Sequence, residues 1–144
     1  MRRLAPALAV LLLFAFNASP ADDPKVTDPK VTELLATIAG KEKLPAGKVF
    51  RNVKLLADIP AAQFLRMMDT GYSQSLGIHC DYCHVEDRWE ADEKRPKRAA
   101  REMIAMVRDI NDQLGQMQEI DTSDATVNCT TCHRGYVKPA LQMR

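Results

Sequence analysis

One five-residue pattern, Cys-x-x-Cys-His, occurs twice, as Cys80–His84 and as Cys129–His133. The two copies take all four cysteines and two of the three histidines in a chain of 144 residues. No other feature restricts the fold as much. Two thiols three residues apart, followed at once by an imidazole, form the attachment pattern of a c-type haem. The thiols span the two vinyl groups on one edge of the porphyrin, and the next residue then lies under the ring as proximal iron ligand. The pattern predicts two covalently bound haem c groups. Cys80, Cys83 and His84 would hold the first, and Cys129, Cys132 and His133 the second.

Rival uses of the cysteines fit less well. A zinc ribbon separates its two pairs by about 15–20 residues, whereas 45 residues lie between Cys83 and Cys129. Zinc bound by four thiolates leaves the trailing histidines unused, and so do disulfides. A thioredoxin-like pair sits at one helix N-terminus and is not normally duplicated.

The N-terminus reads as a secretory signal peptide over residues 1–21. Arg2 and Arg3 precede the apolar run Leu4–Phe16, and Ser19 and Ala21 suit a cleavage site near Ala21. That run is short of the roughly 20 residues of a membrane-spanning helix. The expected location is therefore periplasmic or exported. Net charge is +1 with mixed signs, which gives no support for nucleic-acid binding.

Residues 22–48 read as a linker and a short helix. Asp23–Thr32 is a perfect tandem pentad, DPKVT twice, and suggests an extended tether. Val31–Ala39 then reads as a helix stopped by Gly40. The haem domain is expected over 49–144. Val49–Leu56 reads as a strand or an extended run. Pro60–Leu76 carries Phe64, Leu65, Met68, Tyr72 and Leu76 at helical spacing, just ahead of the first cysteine motif. After a charged loop broken by Pro96, Lys97–Leu114 reads as the longest helix, with Met103, Val107, Ile110 and Leu114 on one stripe. The fold expected is mainly α, a small multihaem cytochrome c of two helix–turn–CxxCH units packed around two haems. Aromatic residues are only 6% of the chain, so two large apolar rings would supply much of the core.

A count restricts the sixth iron ligands. With His84 and His133 used, only His79 remains, so at most one haem can be bis-histidine within the chain. Met68, with Met67 as the alternative, is the candidate for the first haem. Met106, with Met103 as the alternative, is the candidate for the second. His79 directly precedes Cys80 and reads as a surface residue. Trp89, Tyr82 and Tyr136 flank the motifs as haem packing, and Arg98, Arg101 and Lys138 read first as a solvated charged face, with pairing to propionates as the alternative. Six-coordinate irons fit electron transfer, whereas one five-coordinate haem would fit an enzyme or ligand sensor.

The stretches ADIPAAQFLRMM, SLGIHCDYCHVED, KRAAREMIAMVRDIND and CTTCHRG resemble the cytochrome c subunit of bacterial photosynthetic reaction centres, over roughly Val49–Pro139. That subunit carries four haems as two pairs, and this chain is similar to the C-terminal pair. The resemblance implies a methionine from the preceding helix as sixth ligand of the first haem. In the family that methionine often lies nearer the first cysteine, where this chain has Asp69, so Met67 and Met68 both stay open. The family's last haem takes a histidine from the half that has no counterpart here. The resemblance implies an electron carrier rather than an enzyme. Its partners would be other redox proteins, donor and acceptor cytochromes or membrane complexes, and peripheral membrane association is compatible with it.

Overall fold

The computed structural model describes residues 27–142; the segment expected to be a signal peptide and most of the first pentad lie outside the described residues. Among the described residues there are helices and turns and no strand. Helix α1 spans Pro29–Thr37, α2 Ala46–Val49 and α3 Ala61–Arg66. A π-helical turn, Met67–Ser73, continues α3 into α4, Gln74–Leu76. The first cysteine motif forms α5, Cys80–Cys83. The long α6 spans Arg95–Leu114, and the second motif forms α7, Cys129–His133.

The second copy of the pentad is not an extended tether. Asp28 is the N-cap of α1, accepting from the Lys30 N–H, and Pro29 opens the helix, where its missing N–H costs nothing. Val31 is then buried with Ile38, Ala61, Ala62 and Leu65 in one apolar core. Leu34, Leu35, Val49 and Phe50 pack against this core, and Phe50 stacks on Phe64 at 5.6 Å between centroids. The stretch from Val49 to Leu56 forms no strand; it is the end of α2 followed by turns and bends. Among the described residues no strand is present to pair with it. The local pairing instead is a single bridge between Pro45 and Pro60, with the Ala46 N–H bonded to the Ile59 carbonyl.

The helix expected over Pro60–Leu76 is present, but its middle is π-wound. The sequence spaces Phe64, Met68, Tyr72 and Leu76 four residues apart. In a pure α-helix such a series drifts round the axis, because a turn takes 3.6 residues. The wider π-turn takes up the drift, and all four side chains line one cavity. Asp69, next to Met68 in the same turn, is 2% exposed and faces the start of α1.

Helix α6 begins two residues earlier than the sequence pattern suggests. Pro96 falls in its first turn, a position proline tolerates, and does not break it. Met103 is not on the inward stripe: it is exposed, and Ile104 lines the cavity in its place. Val107, Ile110 and Leu114 continue the stripe as half-buried residues.

Candidate haem sites

The first cysteine motif is delivered by a sharp helix end. Gly77 terminates α4 with φ +65°, a left-handed conformation that favours glycine. Three residues later α5 presents Cys80 and Cys83, and His84 caps it in extended conformation. All three line a cavity of about 370 Å³. Its walls are apolar: Val31 and Leu34 from α1, Phe64 and Leu65 from α3, Tyr72 from the π-turn, and Ile104 from α6. The lining also carries charge, with Arg51, Lys54, Lys97 and Arg101 beside the single acid Glu90.

His84 is held in one orientation. Its Nδ1 pairs with the Trp89 carbonyl at 2.9 Å. A carbonyl can only accept, so Nδ1 carries the hydrogen and Nε2 keeps its lone pair for a metal. The Trp89 ring tilts against the imidazole with centroids 5.7 Å apart. Burial holds the His84 pKa below the ordinary histidine value, despite the hydrogen bond to Trp89. The ring is therefore neutral at neutral pH, as a ligand must be.

The second motif repeats this arrangement. Asn128 caps α7 in a reciprocal capping box with Thr131. His133 Nδ1 pairs with the Tyr136 carbonyl at 3.0 Å, again leaving Nε2 free to bind a metal. Asn111 of α6 fixes the approach to this motif. Its side chain accepts from the Val127 N–H at 2.7 Å and donates to the Val127 carbonyl at 3.0 Å.

The cysteines are four free thiols. Burial raises the Cys83 and Cys129 pKa values, and burial followed by the neighbouring Asp28 carboxylate pushes Cys80 up to about 11. The Cys80 Sγ lies 3.5 Å from that carboxylate. Among the described residues no three His, Cys, Asp or Glu side chains are grouped to hold a metal ion. The two cysteine pairs are thus not brought together on one centre, as a zinc ribbon requires. Paired thiols with a following, correctly oriented imidazole, facing an apolar cavity, fit a covalently attached haem.

The candidate sixth ligands separate. Met68 lines the cavity of Cys80, Cys83 and His84, and Met67 is not among its lining residues. Met103 and Met106 are 46% and 45% exposed on α6. His79 is exposed and precedes α5 as its N-cap residue. Of the flanking aromatics, Trp89 lines the first cavity, while Tyr82 and Tyr136 are exposed. Of the propionate candidates, Arg101 lines the cavity and pairs with Asp92 at 2.9 Å. Arg98 turns instead to the carbonyls of Asp92 and Glu93, and Lys138 is exposed.

Two features escaped the sequence reading. Asp69 accepts from the backbone N–H groups of Thr27 at 2.6 Å and Asp28 at 3.1 Å, and from Gln74. It ties the start of α1 to the turn that carries Met68. Burial pushes its pKa up, but these hydrogen bonds outweigh burial and hold it below the usual carboxylate value. Asp92 gathers Asn52, Lys54, Lys97 and Arg101 around one carboxylate. The signal for Asp69 was faint, an acid inside an otherwise apolar stripe. Asp92 had none, being one acid in a charged run.

Comparison with known proteins agrees with this site. The profile of the photosynthetic reaction centre cytochrome c subunit family matches residues 16–142. The chain is 34% identical over 97 residues to the photosynthetic reaction center cytochrome c subunit of Thermochromatium tepidum, covering 65% of this chain and 22% of that one. It is 32% identical over 130 residues to cytochrome c-554 of Chloroflexus aurantiacus, covering 80% of this chain and 31% of that one. It is 34% identical over 125 residues to the corresponding subunit of Roseobacter denitrificans, covering 83% and 33%. The chain thus matches at most a third of the length of these relatives. With the family profile matching most of its length, the chain belongs to the photosynthetic reaction centre cytochrome c subunit family.

Proposed function

We propose that this chain is an exported dihaem c-type cytochrome that carries electrons between periplasmic or membrane-bound redox partners. One observation carries the reading: His84 and His133 are oriented alike, each giving Nδ1–H to a downstream carbonyl and keeping Nε2 for iron. A single usable motif would not need the same device twice. Bound haem supplies one-electron chemistry, and the protein's residues do the rest. Cys80 and Cys83, and Cys129 and Cys132, fix the two rings through sulfur. The carbonyls of Trp89 and Tyr136 hold the imidazoles against rotation. Met68 offers its thioether from the wall of the first cavity, and Met106, with Met103 as the alternative, stands on α6 for the second.

The two units are packed against each other. The Gly135 N–H donates to the Ser75 carbonyl at 2.8 Å, and the hydroxyls of Ser75 and Thr130 hydrogen-bond across the same contact. Such a contact holds two attached haems at a fixed separation, as electron passage from one to the other requires. Signal-peptide cleavage near Ala21 and peripheral membrane association complete the proposal. No described helix is long and apolar enough to cross a membrane.

The test is visible spectroscopy of the protein matured in a periplasm with working haem attachment. The reading expects low-spin spectra in both oxidation states and no carbon monoxide binding. A high-spin ferrous fraction that binds carbon monoxide readily would favour an enzyme or ligand sensor with one five-coordinate haem.

A further inference from the structure

The carbonyl that orients His84 is shared. The Trp89 oxygen accepts from His84 Nδ1 at 2.9 Å and from Lys97 Nζ at 2.7 Å. Lys97 belongs to the first turns of α6 and lines the first cavity. Its side chain is only 11% exposed, and Nζ also donates to the Ala91 carbonyl at 2.8 Å. The Asp92 carboxylate lies 3.4 Å from the same Nζ, but it is drawn more closely to Arg101 at 2.9 Å and Lys54 at 3.2 Å. Glu90 also acts on Lys97, but its carboxylate pairs with Arg51 at 2.7 Å, so two acids shared among four cations leave the ammonium charge incompletely offset.

We propose that Lys97 is a positioning residue that raises the reduction potential of the haem bound through His84, by sharing the Trp89 carbonyl with the imidazole N–H. A carbonyl that accepts from an ammonium gives less electron density to a second donor. The His84 N–H is then polarised less, and the ring donates less strongly through Nε2. Outer partners of a ligating histidine set its basicity in this way, and such hydrogen bonding tunes haem potentials. A largely enclosed ammonium beside the cavity acts in the same direction, because its field favours the less positive, reduced centre. The inference rests on the reading of His84 as an iron ligand.

The test uses the full chain, matured with haem, as Lys97→Met and Lys97→Arg variants. Each is titrated redox-spectroscopically and fitted to two one-electron components. Lys97→Met is expected to move one component to lower potential and leave the other in place. Lys97→Arg, which retains charge and donors, is expected to restore most of the shift. A lysine serving only to hold α6 would change stability without selectively moving one potential. Three results overturn the inference: no shift, an equal shift of both components, or an arginine variant that behaves like the methionine one. Intact mass of the same samples separates the two levels of argument. Full haem loading without the selective shift defeats the role of Lys97 alone, while loss of haem from Cys80 and Cys83 in the parent defeats the site reading itself.

Discussion

Gly77 and Gly135 meet backbone to backbone at the junction of the two cysteine-motif units. A Cβ built on Gly77 would collide with the carbonyl oxygen of Gly135, and Gly77 is also left-handed at φ +65°. Both constraints fall on one residue, and the contact lies between the end of α4 and the turn after α7. Gly77→Ala is expected to destabilise the protein by at least the roughly 1–2 kcal/mol of a left-handed non-glycine residue, with the clash added. Gly135→Ala meets nothing within 4 Å but keeps the positive φ, +87°, so the backbone term alone should apply. Denaturant midpoints of the two holo-variants check the ordering.

Met68 and Met67 are adjacent, but the π-turn gives only Met68 to the cavity of His84. Met68→Ala is expected to abolish the weak long-red absorbance of a methionine–iron bond at one haem and to lower that haem's potential, since methionine ligation raises it. Met67→Ala should leave both unchanged. Absorbance of the ferric variants reads the difference directly.

Asp69 holds the beginning of α1 onto the π-turn by accepting from the Thr27 and Asp28 N–H groups and from Gln74. Asp69→Ala strands two backbone N–H groups, an effect of about 1–3 kcal/mol where water cannot replace the partner. Hydrogen exchange at Thr27 and Asp28 should accelerate in the variant more than exchange along α6. Uniform acceleration would show that the tie is not local.

Asp92 sets a pH dependence. The Arg101 hydrogen bond first, with Asn52 and Lys54, holds its carboxyl well below the usual range. The folded protein therefore binds fewer protons there than the unfolded chain does. The resulting stability is complete above the ordinary carboxylate pKa of about 4 and is lost as pH falls toward the depressed folded value. Asp92→Asn is expected to flatten stability against pH below about 4, and added salt should shrink the difference. Urea midpoints across that range provide the measurement.

The site was more legible than the scaffold. CxxCH is a contiguous signal, because two thiols that reach one edge of a haem and an imidazole that lies under its ring can all come from chain neighbours without help from the fold. The preference for Met68 over Met67 was legible from the apolar face it shares with Phe64, Tyr72 and Leu76, and Met68 lines the cavity. The π-turn was not legible, because a four-residue spacing reads equally well as a loose α-helix until the winding is seen. The start of α1 was misread because a repeated Asp-Pro suggests a linker. The same pair is also an N-cap and first helical residue, and only the burial of Val31 decides between them. The strings that carried the family resemblance prove to be joints. Ser75 and Gly77 hold the second unit, and Asn111 grips the backbone of Val127. The placement of Lys97 and the cluster around Asp92 were invisible because a charged run does not show which of its members turn inward.

Intact-mass analysis of protein made with a working haem-attachment system tests the central claim most directly. The account predicts a mass equal to the processed polypeptide plus two haem groups, reduced by one haem when Cys129 and Cys132 are both replaced by alanine. A parent protein carrying no haem, or only one, would contradict it.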